Sequence, residues 1–124
     1  MKPELKLAYP ALQREWLPYG SVLRRTGTRG TPDFILSIRD RPGMVVFTEV
    51  KAISSTAESL GLEVLQTIEL DELAKAGLFS RMLAYEVNNK SWSIYYGPFI
   101  GRKLYGDSAD YFAQHLTPDN LIGV

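Results

Sequence analysis

A chain of 124 residues with 45% hydrophobic and 23% charged side chains has the size and composition of a single globular domain spanning residues 1–124. There is no cysteine, which excludes disulfides, thiolate zinc sites and cysteine nucleophiles, fits a reducing compartment and leads us to expect a cytoplasmic protein. No apolar run is long enough for a bilayer, and the Met1-Lys2-Pro3-Glu4 start lacks the apolar segment of a signal peptide, so no membrane partner is expected. Net charge is zero but unevenly spread: residues 1–51 hold nine Lys/Arg against five Asp/Glu, and residues 52–124 hold five against nine. The basic excess at Arg24, Arg25, Arg29, Arg39 and Arg41 is either a solvated surface or a patch that attracts phosphates.

Residues 3–17 carry Leu5, Ala8, Tyr9, Leu12 and Trp16 close to helical spacing, with Pro10 set to kink this helix or begin a second one. Ser21–Arg25 reads as a short strand, and Gly27 to Pro32 as a tight loop. Phe34–Ile38 and Met44–Val50 are rich in β-formers, and the turn sequence Arg39–Gly43 between them predicts a hairpin. The polar run Ser54–Glu58 follows. Leu62, Leu65, Ile68, Leu70 and Leu73 predict a helix over about 60–76, stopped by Gly77. Arg81–Val87 and Ser91–Tyr96 read as two further strands joined by a turn at Asn88–Lys90. A short helix is expected over 107–116, and Thr117-Pro118-Asp119 should cap a final turn. The order gives an α/β protein with a mixed central sheet, flanked by helices, in which one helix crosses over to a later strand.

The hairpin brings charged groups together. With its turn centred on Arg41, Asp33 lies opposite Glu49, and directly opposed residues have Cβ atoms about 4.5–5.5 Å apart. A β-bulge would shift this register by one. Lys51 projects from the same face as Glu49, two residues on. Opposed carboxylates destabilise a sheet, and a divalent cation removes the conflict. Magnesium suits such a site, because it takes one or two protein carboxylates and keeps several waters. Metal-bound water is more acidic than bulk water, and Lys51 is placed to orient it or help deprotonate it. The three residues together could hydrolyse a phosphodiester. A bare Glu-x-Lys also occurs as an ordinary surface ion pair; the upstream Pro32-Asp33 is what strengthens the pattern.

Pro32-Asp33 followed by Glu49-Val50-Lys51 resembles the motif of the PD-(D/E)XK nuclease superfamily. Gly30-Thr31-Pro32-Asp33 with Glu49-Val50-Lys51 looks most like the VRR-NUC family and the archaeal Holliday-junction resolvases. The similarity extends through Gln66, Leu70, Leu73 and Gly77, and covers roughly residues 24–86. It implies a restriction-endonuclease-like core of α-β-β-β-α-β order, Mg2+ or Mn2+ as cofactor, DNA as partner, and nuclease activity. It further implies that the Val50 carbonyl joins Asp33 and Glu49 as a metal ligand, and that Gln66 and a first-helix acid join Asp33, Glu49 and Lys51 in the catalytic set. Glu4 and Glu15 both qualify as that acid, being about three helical turns apart. Glu4 is preferred, since it leaves room for a full helix before the first strand. The interval from Lys51 to Gln66 is longer than the family's usual one, consistent with an insertion around Ser54–Gly61.

Gln66 has a second reading as an exposed helix residue. Arg24, Arg25 and Arg29 are candidate DNA contacts, although only one of Arg24 and Arg25 can face DNA if both lie on a strand. His115 is read as surface or filler, and Trp92, Tyr95 and Tyr96 as strand packing rather than base stacking. The resemblance favours a structure-selective endonuclease acting on branched or junction DNA. The alternatives are a catalytically silent nucleic-acid-binding module on the same fold, and an unrelated α/β interaction protein. A homodimer is expected, with Tyr111, Phe112, Leu116, Leu121 and Ile122 either in its interface or packed on their own domain.

Overall fold

The fold is known from a computed structural model, which describes residues 4–24 and 32–123, with only the backbone described at Glu4 and Leu5. Among the described residues, six strands form one sheet in sequential order. They are β1 (Val22–Arg24), β2 (Phe34–Ser37), β3 (Val45–Ile53), β4 (Phe79–Glu86), β5 (Ser91–Tyr96) and β6 (Tyr111–Ala113). Neighbours run antiparallel except β3 and β4, which are parallel. Parallel strands need a long crossover, and helix α2 (Val64–Lys75) lies within it. The sheet is therefore mixed, as expected.

Strand alternation gives each face its own core. One face carries Phe34, Leu36, Val46, Val50, Leu83, Tyr85, Trp92 and Ile94. Against it pack α1 (Tyr9–Trp16), through Ala11, Leu12 and Trp16, and α3 (Pro118–Ile122), through Leu121. The other face carries Ile53, Met82, Ala84 and Tyr95, covered by Leu70 of α2 and by Leu60, Phe99 and Leu104.

Pro10 does begin a second helix: a π-helical turn, Glu4–Ala8, leads into α1, where the proline occupies the first turn and has no amide hydrogen bond to lose. The final turn also forms as expected, with the Thr117 side chain accepting from the Asn120 amide at 3.2 Å. Strand β3 runs to Ile53, so Glu49 and Lys51 lie within the strand.

The helix expected over 107–116 is absent. A 3-10 turn, Gly106–Ser108, is followed by β6, whose β-favouring Tyr111 and Phe112 pair with Ile94 and Ser93. The tail is also largely core: Leu116 and Leu121 are fully buried, leaving Tyr111 and Phe112 as its exposed large apolar residues. Helix α2 starts four residues later than expected, and Val64, Leu65 and Ile68 are exposed. Its inner stripe instead carries Gln66, Thr67, Leu70 and Asp71, the polar ones hydrogen-bonded: Gln66 to Glu49, Thr67 to the Val64 carbonyl of its own helix, and Asp71 to main-chain amides. Asp71 is one example. Its buried carboxylate accepts from the Phe99 and Ile100 amides at 2.8–3.0 Å and ties down the segment after β5.

Candidate active site

The β2–β3 register pairs Phe34 with Thr48, Ile35 with Phe47, Leu36 with Val46 and Ser37 with Val45. This is the register of a turn centred on Arg41. Continued by one residue, it sets Asp33 opposite Glu49. Phe34 and Thr48 face α1, so Asp33, Glu49 and Lys51 share the α2 face by alternation. Pairing with β4 agrees: Glu49 aligns with Met82 and Lys51 with Ala84, both on the α2 side.

Glu49 is 2% exposed. Its Oε1 accepts a hydrogen bond from Gln66 Nε2 at 2.8 Å. Its Oε2 is buried and makes no hydrogen bond of ordinary geometry, although the main chain and carboxyl of Asp33 lie near enough to act on the Glu49 carboxyl. Burial pushes the carboxyl from its ordinary 4.5 up to about 8; the adjacent Asp33 carboxylate pushes the same way, and the Lys51 ammonium pulls back. A buried carboxylate oxygen without a partner, beside a second carboxylate, is the donor arrangement that a hard divalent cation satisfies. The residues present thus fit Mg2+ or Mn2+. Among the described residues, no group of three or more His, Cys, Asp or Glu gathers as a metal site.

The Val50 carbonyl is suitably turned. Ile38 donates to the Met44 carbonyl, so even-numbered residues along β3 direct their main-chain groups toward β2. The ladder to β2 ends at Thr48, and Val50 is the next even position. Its side chain is fully buried in the core under α1.

Gln66 is therefore half-buried against Glu49 and not an exposed helix position. Glu15 is excluded from the site. It lies under the opposite face, where its Oε2 accepts from Trp92 Nε1 at 2.7 Å and its Oε1 lies 3.2 Å from His115 Nδ1. The Glu4 side chain lies outside the described residues.

Arg25 and Arg29 also lie outside the described residues. Arg24 pairs with Phe34 and so shares the α1 face, away from the carboxylates, with its side chain exposed. Among the described arginines of the basic excess, Arg24 lies apart from Arg39 and Arg41. Arg39 donates to the Leu17 and Pro18 carbonyls just after α1, and Arg41 lies 3.9 Å from Asp119; both sit at the turn end of the hairpin.

Sequence reasoning passed over Glu63. It caps α2 in a capping-box arrangement: its carbonyl accepts from the Gln66 main-chain N–H at 3.1 Å, and its own N–H donates to Gln66 Oε1 at 3.0 Å. The signal was present as an acid three residues before a glutamine at a helix start.

A mixed sheet with helices on both faces, and with two carboxylates brought together on the hairpin that leads to its parallel pair, defines an α/β fold. No family model and no curated protein matches the sequence. Among solved structures, the chain is similar to Hjc of Archaeoglobus fulgidus, a Holliday junction resolvase from an archaeal hyperthermophile, with a TM-score of 0.69 and 15% identity over 98% of this chain and 97% of that one. At that identity the likeness is one of fold. It supports the resolvase side of the expected resemblance and does not single out the VRR-NUC family. No helix among the described residues is long and apolar enough to cross a membrane.

Proposed function

We propose that this chain is a single-domain, metal-dependent DNA endonuclease that hydrolyses phosphodiester bonds in branched or junction DNA and works as a homodimer. The observation that carries the reading is the buried, unpartnered Oε2 of Glu49, set beside Asp33 on a fold shared with a junction resolvase. Asp33, Glu49 and the Val50 carbonyl would hold Mg2+ or Mn2+. The bound metal would supply Lewis-acid stabilisation of the scissile phosphate and a more acidic water.

The chain's own groups have distinct tasks. Lys51 presents an ammonium on the carboxylate face, where it can orient the attacking water and offset charge developing on the phosphate. Gln66 holds one oxygen of Glu49 in place. The raised pKa of Glu49 means that the metal-free carboxyl keeps its proton near neutrality and must release it to bind a cation. Glu4 remains the candidate first-helix acid. Arg24, Arg25 and Arg29 remain the candidate phosphate contacts, with Arg24 the weakest of them on its register.

The deciding experiment is cleavage of branched, single-stranded and duplex DNAs with Mg2+, with Mn2+ and with chelator. Metal-dependent cutting, strongest on the branched substrates, is expected. Binding to all the DNAs with no cutting under any condition would replace this reading with that of a silent nucleic-acid-binding module.

A further inference from the structure

The two oxygens of Glu49 are treated differently. Oε1 is engaged by the Gln66 side chain, whereas Oε2 is buried and makes no hydrogen bond of ordinary geometry. Gln66 is engaged at both ends, since its Oε1 takes the Glu63 main-chain N–H at 3.0 Å. An amide has an acceptor oxygen on one side and an NH2 donor on the other. Fixing the oxygen to a main-chain donor therefore fixes the NH2 toward Glu49. The reversed amide would lose the Glu63 bond and, once Glu49 is ionised to take a cation, set two oxygens against each other in a buried place.

We propose, building on the metal-nuclease reading, that Gln66 is a positioning residue that leaves only one oxygen of Glu49 for the cation, and that the Glu63 main-chain N–H sets the direction of the Gln66 amide. The N-terminal cap of α2 is thereby part of the site. Helix starts carry main-chain donors with no partner inside the helix, and here the donor of the capping residue is used to orient a side chain that faces the metal ligands.

The geometry permits a test that separates main chain from side chain. Glu63 has φ −78°, within the range that proline adopts, so Glu63→Pro deletes the N–H without demanding a new φ. Glu63→Ala removes the side chain and keeps the N–H. Gln66→Leu removes the amide altogether. The probe is Mn2+ alone, titrated calorimetrically into the full chain, alongside the Mn2+ dependence of DNA cleavage.

Gln66→Leu should weaken Mn2+ binding by about 10–100-fold, the usual cost of losing a partner that orients a metal ligand. Saturating Mn2+ should restore most of its cleavage rate, a split that general damage to the fold would not produce. Glu63→Pro should weaken Mn2+ binding more than Glu63→Ala does. If circular dichroism shows Gln66→Leu misfolded, Gln66→Met, of similar length and without the polar atoms, takes its place. Wild-type Mn2+ affinity in the folded Gln66 variant, or equal effects of Glu63→Pro and Glu63→Ala, would overturn the inference. So would a cleavage defect that saturating Mn2+ leaves unrepaired, since Gln66 would then act on the DNA. A wild-type protein that binds no Mn2+ would overturn the nuclease reading itself and this inference with it.

Discussion

Asp33 and Glu49 face each other across the open end of the β2–β3 hairpin, and the first carboxylate adds to burial in holding the second protonated to about pH 8. The relationship makes a prediction about stability in the absence of metal. The unfolded chain ionises Glu49 at its ordinary 4.5, and the folded chain at about 8. Between those values the folded state binds more protons, so stability falls as pH rises. The stabilisation is fully present below about pH 4.5 and is lost as pH climbs through about 8. Glu49→Gln abolishes this dependence. In urea denaturation with chelator, the wild type should lose on the order of 3 kcal/mol more than the variant between pH 5 and pH 8. Parallel pH profiles for the two proteins would show that Glu49 is not the group responsible.

Ligand and catalyst should separate by mutation. Asp33→Ala and Glu49→Ala are expected to weaken Mn2+ binding and to lower cleavage by at least about 100-fold. Lys51→Ala is expected to lower cleavage as much yet bind Mn2+ like the wild type, because an ammonium has no lone pair to offer a metal. Calorimetry with Mn2+ alone checks the distinction. Equal loss of affinity in Lys51→Ala and Glu49→Ala would place Lys51 in some other role.

These roles are legible in the sequence to different degrees. The hairpin register can be read because the turn chemistry is local: Asp40 and Gly43 adopt the positive φ angles, 68° and 80°, that such turns use, and the flanking β-rich runs leave little freedom in pairing. Counting outward from the turn is then enough to bring Asp33 opposite Glu49. Gln66 is reachable only through family resemblance, because a lone glutamine on a helix has no distinctive periodicity. Helix α2 misleads for a related reason. Its inner stripe spends positions on Gln66, Thr67 and Asp71, so Leu65 and Ile68 look like core residues in the sequence and are exposed in the fold. Strand β6 escapes detection because three residues at a sheet edge, next to a 3-10 turn, give too short a pattern to tell from a helix.

DNA affinity should fall steeply with salt, since each phosphate contact releases counterions, at about 0.9 in slope per contact on duplex DNA. Replacing Arg24, Arg25 and Arg29 together should flatten that slope. Arg24→Ala alone should change it little, because its register with Phe34 turns it away from the carboxylate face. Fluorescence anisotropy with a catalytically inactive Asp33→Ala protein would measure both. A slope unmoved by the triple substitution would send the DNA-binding surface elsewhere, and one altered fully by Arg24→Ala would mean that DNA wraps past the edge of β1.

The last prediction concerns assembly. One chain offers one Asp33/Glu49/Lys51 site, and cutting two strands of a junction is simplest with two sites related by a two-fold axis. The interface first suggested by the tail is reduced by the burial of Leu116 and Leu121. Helix α2 offers a better surface, with Val64 72%, Leu65 47% and Ile68 39% exposed. Apolar side chains gathered on one turn of helix are costly to leave in water, and a two-fold axis would bury the same patch twice. The inner side of that helix holds Gln66 against Glu49, so pairing through α2 would fix the separation of the two sites. Light scattering at micromolar concentration, with and without branched DNA, should report a dimer. Val64→Asp with Ile68→Asp should give monomers that nick one strand, whereas Phe112→Asp at the sheet edge should leave the dimer intact. Dimers that survive the α2 changes and fail with Phe112→Asp would move the interface to β6. A wild-type monomer in both conditions that still cuts both strands efficiently would dispose of the dimer altogether.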